Sequence, residues 1–589
     1  MSHDSKFWAL THGMSGVLLA FAFVMVPMLI GLVRGRAPAS EYLGSPLVAV
    51  PLTAVAGLIT ALICWPLHRL GMPSDGLFEW ILGRAIGAFL GYVGGSAMAE
   101  GPQDKISYRR GAVVSHADPA FRRRRWWRWG GAARRNTEPD RPITLAGMPV
   151  AAADETKHFK FAGTTGTGKS TAIREMLSAA LARGDRAVIA DPDGGYLNHF
   201  YDADRGDVIL NPFDPDAVKW NLLGEITNDY DVDQLARSLI PDSGGSDKVW
   251  SEYARTFFTA VTQQAIKGGV NDDREIYRLI TKAPIKELKI LLANTMAGPF
   301  LEEANDRMFG SVRSVTASAV RALEYTTRQR ATPFSVRQWV RQGAARHNGG
   351  RGGVLFLPYK AGEIAALRST ISAWMRTAIF EAMDCPEGDQ RLWFVVDELD
   401  ALGEIDGLKD ALARLRKFGG RCVLGFQSIS QVSGTYGKGA ADTIVENCGN
   451  TLILRCSASE QGGTSQFASR LIGQREVIHT TRSKTQRPSE WIGSTTTSEH
   501  RSIESAVMAS EIERLPDLVG YLKFASIPDW IRVRLTHVSY PIVVRPRRPD
   551  AAPNTPEPED AVPVAIAAEP TAENGVKPKK SRRKPKSDD

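Results

Sequence analysis

Two long stretches near the start of the chain contain no Asp, Glu, Lys or Arg. Phe7 to Val33 runs for 27 residues and Tyr42 to Leu67 for 26. A helix needs about 20 apolar residues to span a bilayer, so both stretches read as transmembrane helices. A cleaved leader fits the first poorly, because it is too long and a second span follows. A third apolar run, residues 85–99, is only 15 long and follows Arg84; it reads as an interfacial or re-entrant helix. The loop Arg34 to Glu41 is short, so an antiparallel pair leaves the N-terminus and the large remainder on one side. Arg69, Arg84, Arg109, Arg110 and the run Arg122 to Arg125 follow the second span and outnumber Arg34 and Arg36 on the loop. The excess of cations puts that side in the cytoplasm.

Past residue 150 the pattern changes to short apolar runs separated by helical periodicity. Strand-like runs fall at 157–162, 187–191, 208–210, 353–358, 391–396, 421–426 and 451–456. Helical stretches between them include 172–183, 361–383 and 407–418. The alternation predicts an α/β fold, a doubly wound parallel sheet. Residues 229–342 break it, reading almost entirely as helix, with segments at 249–266, 273–281, 285–293 and 312–327. Residues 476–505 are rich in Thr, Ser and Arg and suggest an exposed hairpin or a mobile loop. Residues 551–576 are rich in Pro, Ala and Glu, without Lys or Arg, and a basic end follows from Lys577 to Lys586. Such composition cannot bury a core and reads as disorder. The expected layout is a membrane anchor over 1–100 and a basic linker over 101–150. A nucleotide-binding domain is split over 151–228 and 343–540, around an inserted all-α domain at 229–342. A disordered tail covers 541–589.

Composition narrows the function classes. With 43% hydrophobic and 23% charged residues in 589, the chain is neither wholly disordered nor a disulfide-stapled miniprotein. A mean hydropathy of -0.20 excludes a polytopic transporter. The formal charge of +8 permits nucleic acid or anionic lipid as a partner without requiring either. The five cysteines include no C-x-x-C pair and the ten histidines are dispersed, which argues against zinc, redox and nuclease chemistry. The stretch from Phe121 to Trp129 interleaves Arg with Trp. It fits a juxtamembrane lipid anchor and, less well, a patch for phosphates and stacked bases.

The chemistry concentrates at Gly163-Thr164-Thr165-Gly166-Thr167-Gly168-Lys169-Ser170-Thr171, between a predicted strand and a predicted helix. That context makes the glycine-rich run a phosphate loop. Glycines let the backbone wrap phosphates, and successive N–H groups with a helix N-terminus supply positive potential. Lys169 reaches the β- and γ-phosphates of ATP, and Ser170 ligates Mg²⁺. The matching acids close an apolar strand at Asp397-Glu398. Asp397 is placed to hold Mg²⁺ and Glu398 to polarise an attacking water. Gln427, after the 421–426 strand, is a sensor of γ-phosphate or water, or else a solvated strand-end residue.

The ordered set of motifs resembles the type IV coupling proteins, inner-membrane ATPases of conjugation and type IV secretion within the FtsK/HerA-like superfamily. The resemblance rests on the phosphate loop, the helical insertion, Val395-Val396-Asp397-Glu398-Leu399, Arg416 to Gly420 and Gly425 to Gln427. It also rests on Asp191 to Tyr196, Leu210 to Asp214 with Trp220-Asn221, and Leu515 to Tyr521. It implies a RecA-like domain with an all-α insertion behind two transmembrane helices, assembled as a homo-hexameric ring. It further implies ATP and Mg²⁺ as cofactors, single-stranded DNA with relaxase-type cargo, the lipid bilayer, and inner-membrane channel proteins as partners. Arg416 matches the arginine offered to a neighbouring subunit's nucleotide, with Lys417 as a nearby substitute. Arg416 also fits an ordinary solvated helix-end cation. Gly195 departs from the family, where an acid often precedes the tyrosine. The implied function is a DNA motor feeding a secretion channel; a nucleotide-gated receptor for protein cargo is the alternative. No LSGGQ-like signature lies between Ser170 and Asp397, which argues against an exporter ATPase. A chromosome-segregation translocase would bring more spans and a winged-helix C-terminus.

Overall fold

The computed structural model describes the chain except residues 1–2, 35–36, 38, 70–75, 100–104, 117–141, 243–247, 346–351, 389, 460–461, 486–493 and 544–589. The Arg/Trp stretch and nearly all of the expected disordered tail therefore lie outside the described residues. The chain divides into two compact units, residues 1–113 with 472–507, and 114–471 with 508–589.

The first unit begins with three helices, His3–Arg34, Ala39–Arg69 and Gly76–Ala99. All three contain stretches long and apolar enough to cross a membrane, by length and composition. This corrects the expectation of two such helices and a short interfacial segment at 85–99. The third helix starts at Gly76 and carries Arg84 within it. The cation is accommodated locally: its guanidinium donates to the Trp80 carbonyl at 3.1 Å and lies 3.9 Å from the Trp80 ring centroid. Counting charge-free residues cut the helix at Arg84 and missed this pairing. Glycines bring the first and third helices into backbone contact. A Cβ added at Gly91 would sit 2.1 Å from the Val24 carbonyl oxygen, and one at Gly95 2.1 Å from that of Met28. In lipid, such close packing replaces the hydrophobic effect as the force between helices. The unit also contains an antiparallel sheet of Lys105–Gly111, Gln474–Thr485 and Ser494–Ser505. Of the two readings for residues 476–505, the hairpin is the one observed.

The second unit is built on a ten-stranded sheet. From edge to edge its strands are Val114–His116, Trp530–Arg534, Val519–Lys523, Asn450–Ile453, Phe159–Ala162, Gly420–Phe426, Leu392–Val396, Arg186–Pro192, Val354–Tyr359 and Val208–Ile209. The last seven pair in parallel. Their apolar runs, not alternating patterns, follow from burial on both faces, and the four strands around the phosphate loop are buried almost throughout. Val519–Lys523 joins antiparallel and makes the sheet mixed, which the purely parallel expectation missed. One strand, Gly420–Phe426, lies between the phosphate-loop strand and the acidic strand, as a RecA-like core requires.

Buried ion pairs tie the N-terminal ends of the central strands, opposite the phosphate loop. Glu155 accepts from Arg183 at 2.8 Å and from Arg421 at 2.8 Å, while Asp185 accepts from Arg183 and from the Trp393 indole. His158, just before the phosphate-loop strand, links two neighbours. Its Nε2 donates to the Leu412 carbonyl at 2.9 Å and its Nδ1 accepts the Cys422 N–H at 3.1 Å. Between Val208–Ile209 and Val354–Tyr359 the chain runs through helices, including Asp229–Leu239, Lys248–Lys267, Asp273–Thr281, Ile285–Leu292 and Val336–Ala345. The single helix expected over 312–327 is two, Asp306–Ala319 and Arg321–Arg328, meeting at Val320. The two ends of this excursion are brought together, Lys219–Trp220 pairing in parallel with Pro333–Phe334.

Replacing Gly91 and Gly95 by Val should separate the first and third helices. Cysteine cross-links between them in membranes should be lost, while a single exposed substitution such as Leu43→Val leaves them intact. His158 is buried, and desolvation pulls its pKa down to about 4. Its folded value lies below the unfolded one, so its contribution is complete above about pH 6.5 and is lost as pH falls towards 4, amounting to about 3 kcal/mol. Asp191, pushed up to about 7 by burial, acts in the opposite sense. Comparing unfolding temperatures of wild type and His158→Gln across that pH window isolates the imidazole; the gap between them should narrow at low pH.

Candidate nucleotide-binding site

The site lies at the C-terminal ends of the parallel strands, where open α/β sheets place ligands. The strand Phe159–Ala162 delivers the loop 163–168, and the helix Lys169–Ala182 follows directly. Gly166 and Gly168 have φ of 77° and 117°, a region that side chains disfavour. At Gly168 an added Cβ would also meet Leu518 Cδ2 at 2.8 Å. The loop is held from both flanks: Thr164 N donates to the Arg455 carbonyl at 2.8 Å and Leu518 N to the Thr167 carbonyl at 2.9 Å. Inside it, the Thr167 hydroxyl donates to the Thr164 carbonyl at 2.7 Å. Lys169 is buried, with Nζ donating to the Gly163 carbonyl at 2.6 Å. Burial lowers its pKa, and the nearby Asp397 and Glu398 oppose that shift.

Ser170 and Asp397 are 227 positions apart in sequence, yet the Ser170 hydroxyl donates to Asp397 Oδ2 at 2.6 Å. A second hydroxyl, from Tyr196, donates to the same oxygen at 2.8 Å. Asp397 Oδ1 is buried without a hydrogen-bond partner. An orphaned carboxylate oxygen beside a serine hydroxyl suits a hard cation such as Mg²⁺, which takes oxygen ligands and keeps several waters. Below it, the Asp191 carboxylate accepts the Tyr196 and Leu197 N–H groups at 2.9 and 2.7 Å. Sequence reasoning noted the Asp191–Tyr196 stretch but gave it no role. An acid ending the core strand at Asp191 was the available signal.

Glu398 and the phosphate loop are joined through Gln427. The Gln427 amide donates to Glu398 Oε1 at 2.6 Å, and the Thr165 hydroxyl donates to Gln427 Oε1 at 2.8 Å. Burial pushes the Glu398 pKa up, with Asp400 adding to the shift and Lys169 opposing it. Of the residues singled out in the sequence, the loop, Lys169, Ser170, Asp397, Glu398 and Gln427 are thus brought together. Arg416 is not. It is exposed in a short turn, Arg416–Phe418, before the strand whose other end carries Gln427. Seven strand residues at about 3.3 Å each separate it from this chain's own site by roughly 20 Å.

A family model described as the type IV secretion-system coupling protein DNA-binding domain matches residues 142–536. Coupling protein TraD of Escherichia coli K12 is 28% identical over 434 residues, 73% of this chain and 59% of TraD, so the match leaves much of that relative unspanned. Among solved structures, the bacterial conjugative coupling protein TrwBdeltaN70 in its unbound monoclinic form aligns with a TM-score of 0.64 and 29% identity, over 76% of this chain and 97% of that one. Plasmid coupling protein TrwB in complex with ADP and Mg²⁺ aligns with a TM-score of 0.61 and 29% identity, over 77% of this chain and 98% of that one. TrwB with the non-hydrolysable ATP analogue ADPNP gives 0.61 and 29%, over 76% and 98%. With two-thirds of its length matched by the family model and its phosphate loop, acidic strand and bridging glutamine assembled at one sheet edge, the chain belongs to the type IV secretion-system coupling protein family.

Proposed function

We propose that this chain is a membrane-anchored P-loop ATPase that couples a DNA–protein substrate to a secretion or conjugation channel and drives DNA translocation by ATP hydrolysis. The observation that carries the hydrolytic part is the bridge Thr165–Gln427–Glu398, which ties the phosphate loop to the acid best placed to polarise water. Binding of ADP with Mg²⁺ by the relative TrwB supports the same ligands here. Residues 163–171 cradle the phosphates through backbone N–H groups and the helix N-terminus. Lys169 contributes its charge to the phosphates. Ser170 and Asp397 would hold Mg²⁺, which neutralises developing phosphate charge when bound. Glu398 orients and deprotonates the water, its raised pKa bringing it nearer to the working pH. Gln427 contacts both the loop and Glu398, so a change at either is felt by the other.

In this reading the chains form a homo-hexamer and Arg416 serves the neighbour's nucleotide. Its exposure and its distance from its own site suit a residue that acts in trans. Single-stranded DNA with relaxase-type cargo is the substrate, the helical residues 229–342 meet that cargo, and inner-membrane channel proteins are partners. The bacterial inner membrane is the location, with the nucleotide site in the cytoplasm. We further propose three crossings. With three, the loop bearing Arg34 and Arg36 falls on the same side as the nucleotide site, and its cations favour the cytoplasm instead of opposing it. The N-terminus then lies on the other side.

Reporter fusions test the topology. Fusions at the N-terminus and after residue 543 should report opposite sides of the membrane; same-side signals would restore two crossings and a cytoplasmic N-terminus. ATPase rate of the detergent-solubilised full chain against single-stranded DNA, at low and high salt, tests the motor. Turnover should rise with DNA and the rise should weaken with salt. Lys169→Ala should abolish it. Glu398→Gln should bind ATP but turn it over about a hundredfold slower, and Gln427→Ala should also slow turnover. A DNA-independent rate would favour the nucleotide-gated cargo receptor.

A further inference from the structure

The turn from Asp191 to Tyr196 takes no part in the hydrolytic reading, yet its tyrosine reaches the most constrained atom of the site. Tyr196 is fully buried and its hydroxyl donates to Asp397 Oδ2. Ser170 occupies the same oxygen, so Oδ2 carries two O–H donors while the buried Oδ1 carries none. The two donors thereby set which carboxylate oxygen is left over. Tyr196 is itself fixed from below by Asp191, which accepts its N–H at 2.9 Å. From the side, Arg174 on the phosphate-loop helix donates to the Gly195 carbonyl at 3.2 Å and lies 5.8 Å from the tyrosine ring centroid.

The last described residues tie the two donors together from outside. After the strand Trp530–Arg534 the chain continues as a strap over residues 536–543. The Tyr540 ring packs against Phe200, centroids 5.1 Å apart, and beside His199 at 6.5 Å. Its hydroxyl donates to the Arg174 carbonyl at 3.4 Å and also bonds Ser178. Val543 N donates to the Asn198 carbonyl at 2.8 Å, and His199 Nδ1 donates to the Pro541 carbonyl at 3.1 Å. Arg174 and Ser178 belong to the helix that begins with Lys169 and Ser170. Asn198, His199 and Phe200 belong to the helical turn that follows Tyr196. One strap therefore fastens the two elements that aim hydroxyls at Asp397.

We propose that Tyr196 is a positioning residue for the metal-binding carboxylate of Asp397, and that residues 536–543 hold it in place through Tyr540. The proposal rests on the nucleotide-site reading above and gives a role to the Asp191–Tyr196 motif.

The test is binding of a fluorescent ADP analogue to the solubilised full chain, once with Mg²⁺ and once with EDTA, read without turnover. Wild type should bind more tightly with Mg²⁺. Tyr196→Phe removes one hydroxyl and should keep the metal-free affinity while losing about tenfold of the Mg²⁺-dependent gain, the scale seen when groups orienting a metal ligand are removed. Tyr540→Ala, on an exposed strap that the sheet does not need, should lose part of the same gain. Tyr540→Phe keeps the ring on Phe200 but drops the hydroxyl's bonds to the Lys169–Ala182 helix, so it should restore only part of the gain. An unchanged Mg²⁺ gain in Tyr196→Phe overturns the positioning role, and an unchanged gain in Tyr540→Ala overturns the strap's part. Lys169→Ala separates this from failure of the site itself. If it binds nucleotide normally in EDTA and in Mg²⁺, the nucleotide-site reading is wrong; if it loses both, that reading stands whatever Tyr196 does.

Discussion

A carboxylate buried inside a protein needs donors, and Asp397 shows how much of a fold one such group can organise. Leaving it unpaired would cost several kcal/mol. Its Oδ2 is met by hydroxyls at 2.6 and 2.8 Å, from Ser170 and Tyr196. These three residues sit on three separate elements, so the acidic strand, the phosphate-loop helix and the turn after Arg186–Pro192 must be in register at once. A slip of one residue along the acidic strand would turn Asp397 to the other face of the sheet. The bulk around them enforces that register: Phe159, Phe161, Val188, Ile189, Phe394 and Val395 are buried on central strands of the same sheet.

The same logic explains why the strand order matters to the chemistry. The phosphate-loop strand and the acidic strand are not neighbours; Gly420–Phe426 lies between them. The residue that follows it, Gln427, is therefore the side chain that faces both. Close approach at this point is secured by Gly425, where a Cβ would stand 2.2 Å from the Asp397 carbonyl oxygen. Between the apolar helices of the first unit, glycine does a related job for a different reason. Lipid gives helices no hydrophobic incentive to associate, so Gly91 and Gly95 let backbones touch and dispersion forces accumulate.

Much of this was readable along the chain. The phosphate loop announces itself because its chemistry needs glycines, a lysine and a hydroxyl at fixed spacing within one short segment. Core strands such as Leu392–Val396 are legible because burial on both faces demands an unbroken apolar run. The hydrophobic pattern likewise marked the first two long apolar helices and the helical excursion after Asp229. Where a helix carries an ion, as the third does at Arg84, the pattern breaks although the helix does not, because the partner that tolerates the charge, Trp80, lies one turn away.

What the sequence determined alone was therefore local: which segments are strand, helix or membrane-compatible, and which residues are the candidates for phosphate and metal chemistry. Tertiary structure alone decided which distant groups meet. Nothing in the order of residues places Tyr196 on Asp397, Gln427 between Thr165 and Glu398, or Tyr540 across two helices. Nor does it remove Arg416 from its own site. Those contacts depend on strand order and on the path of the chain after its last strand, and both are set by how buried surfaces pack across long sequence separations rather than by any preference of the residues themselves.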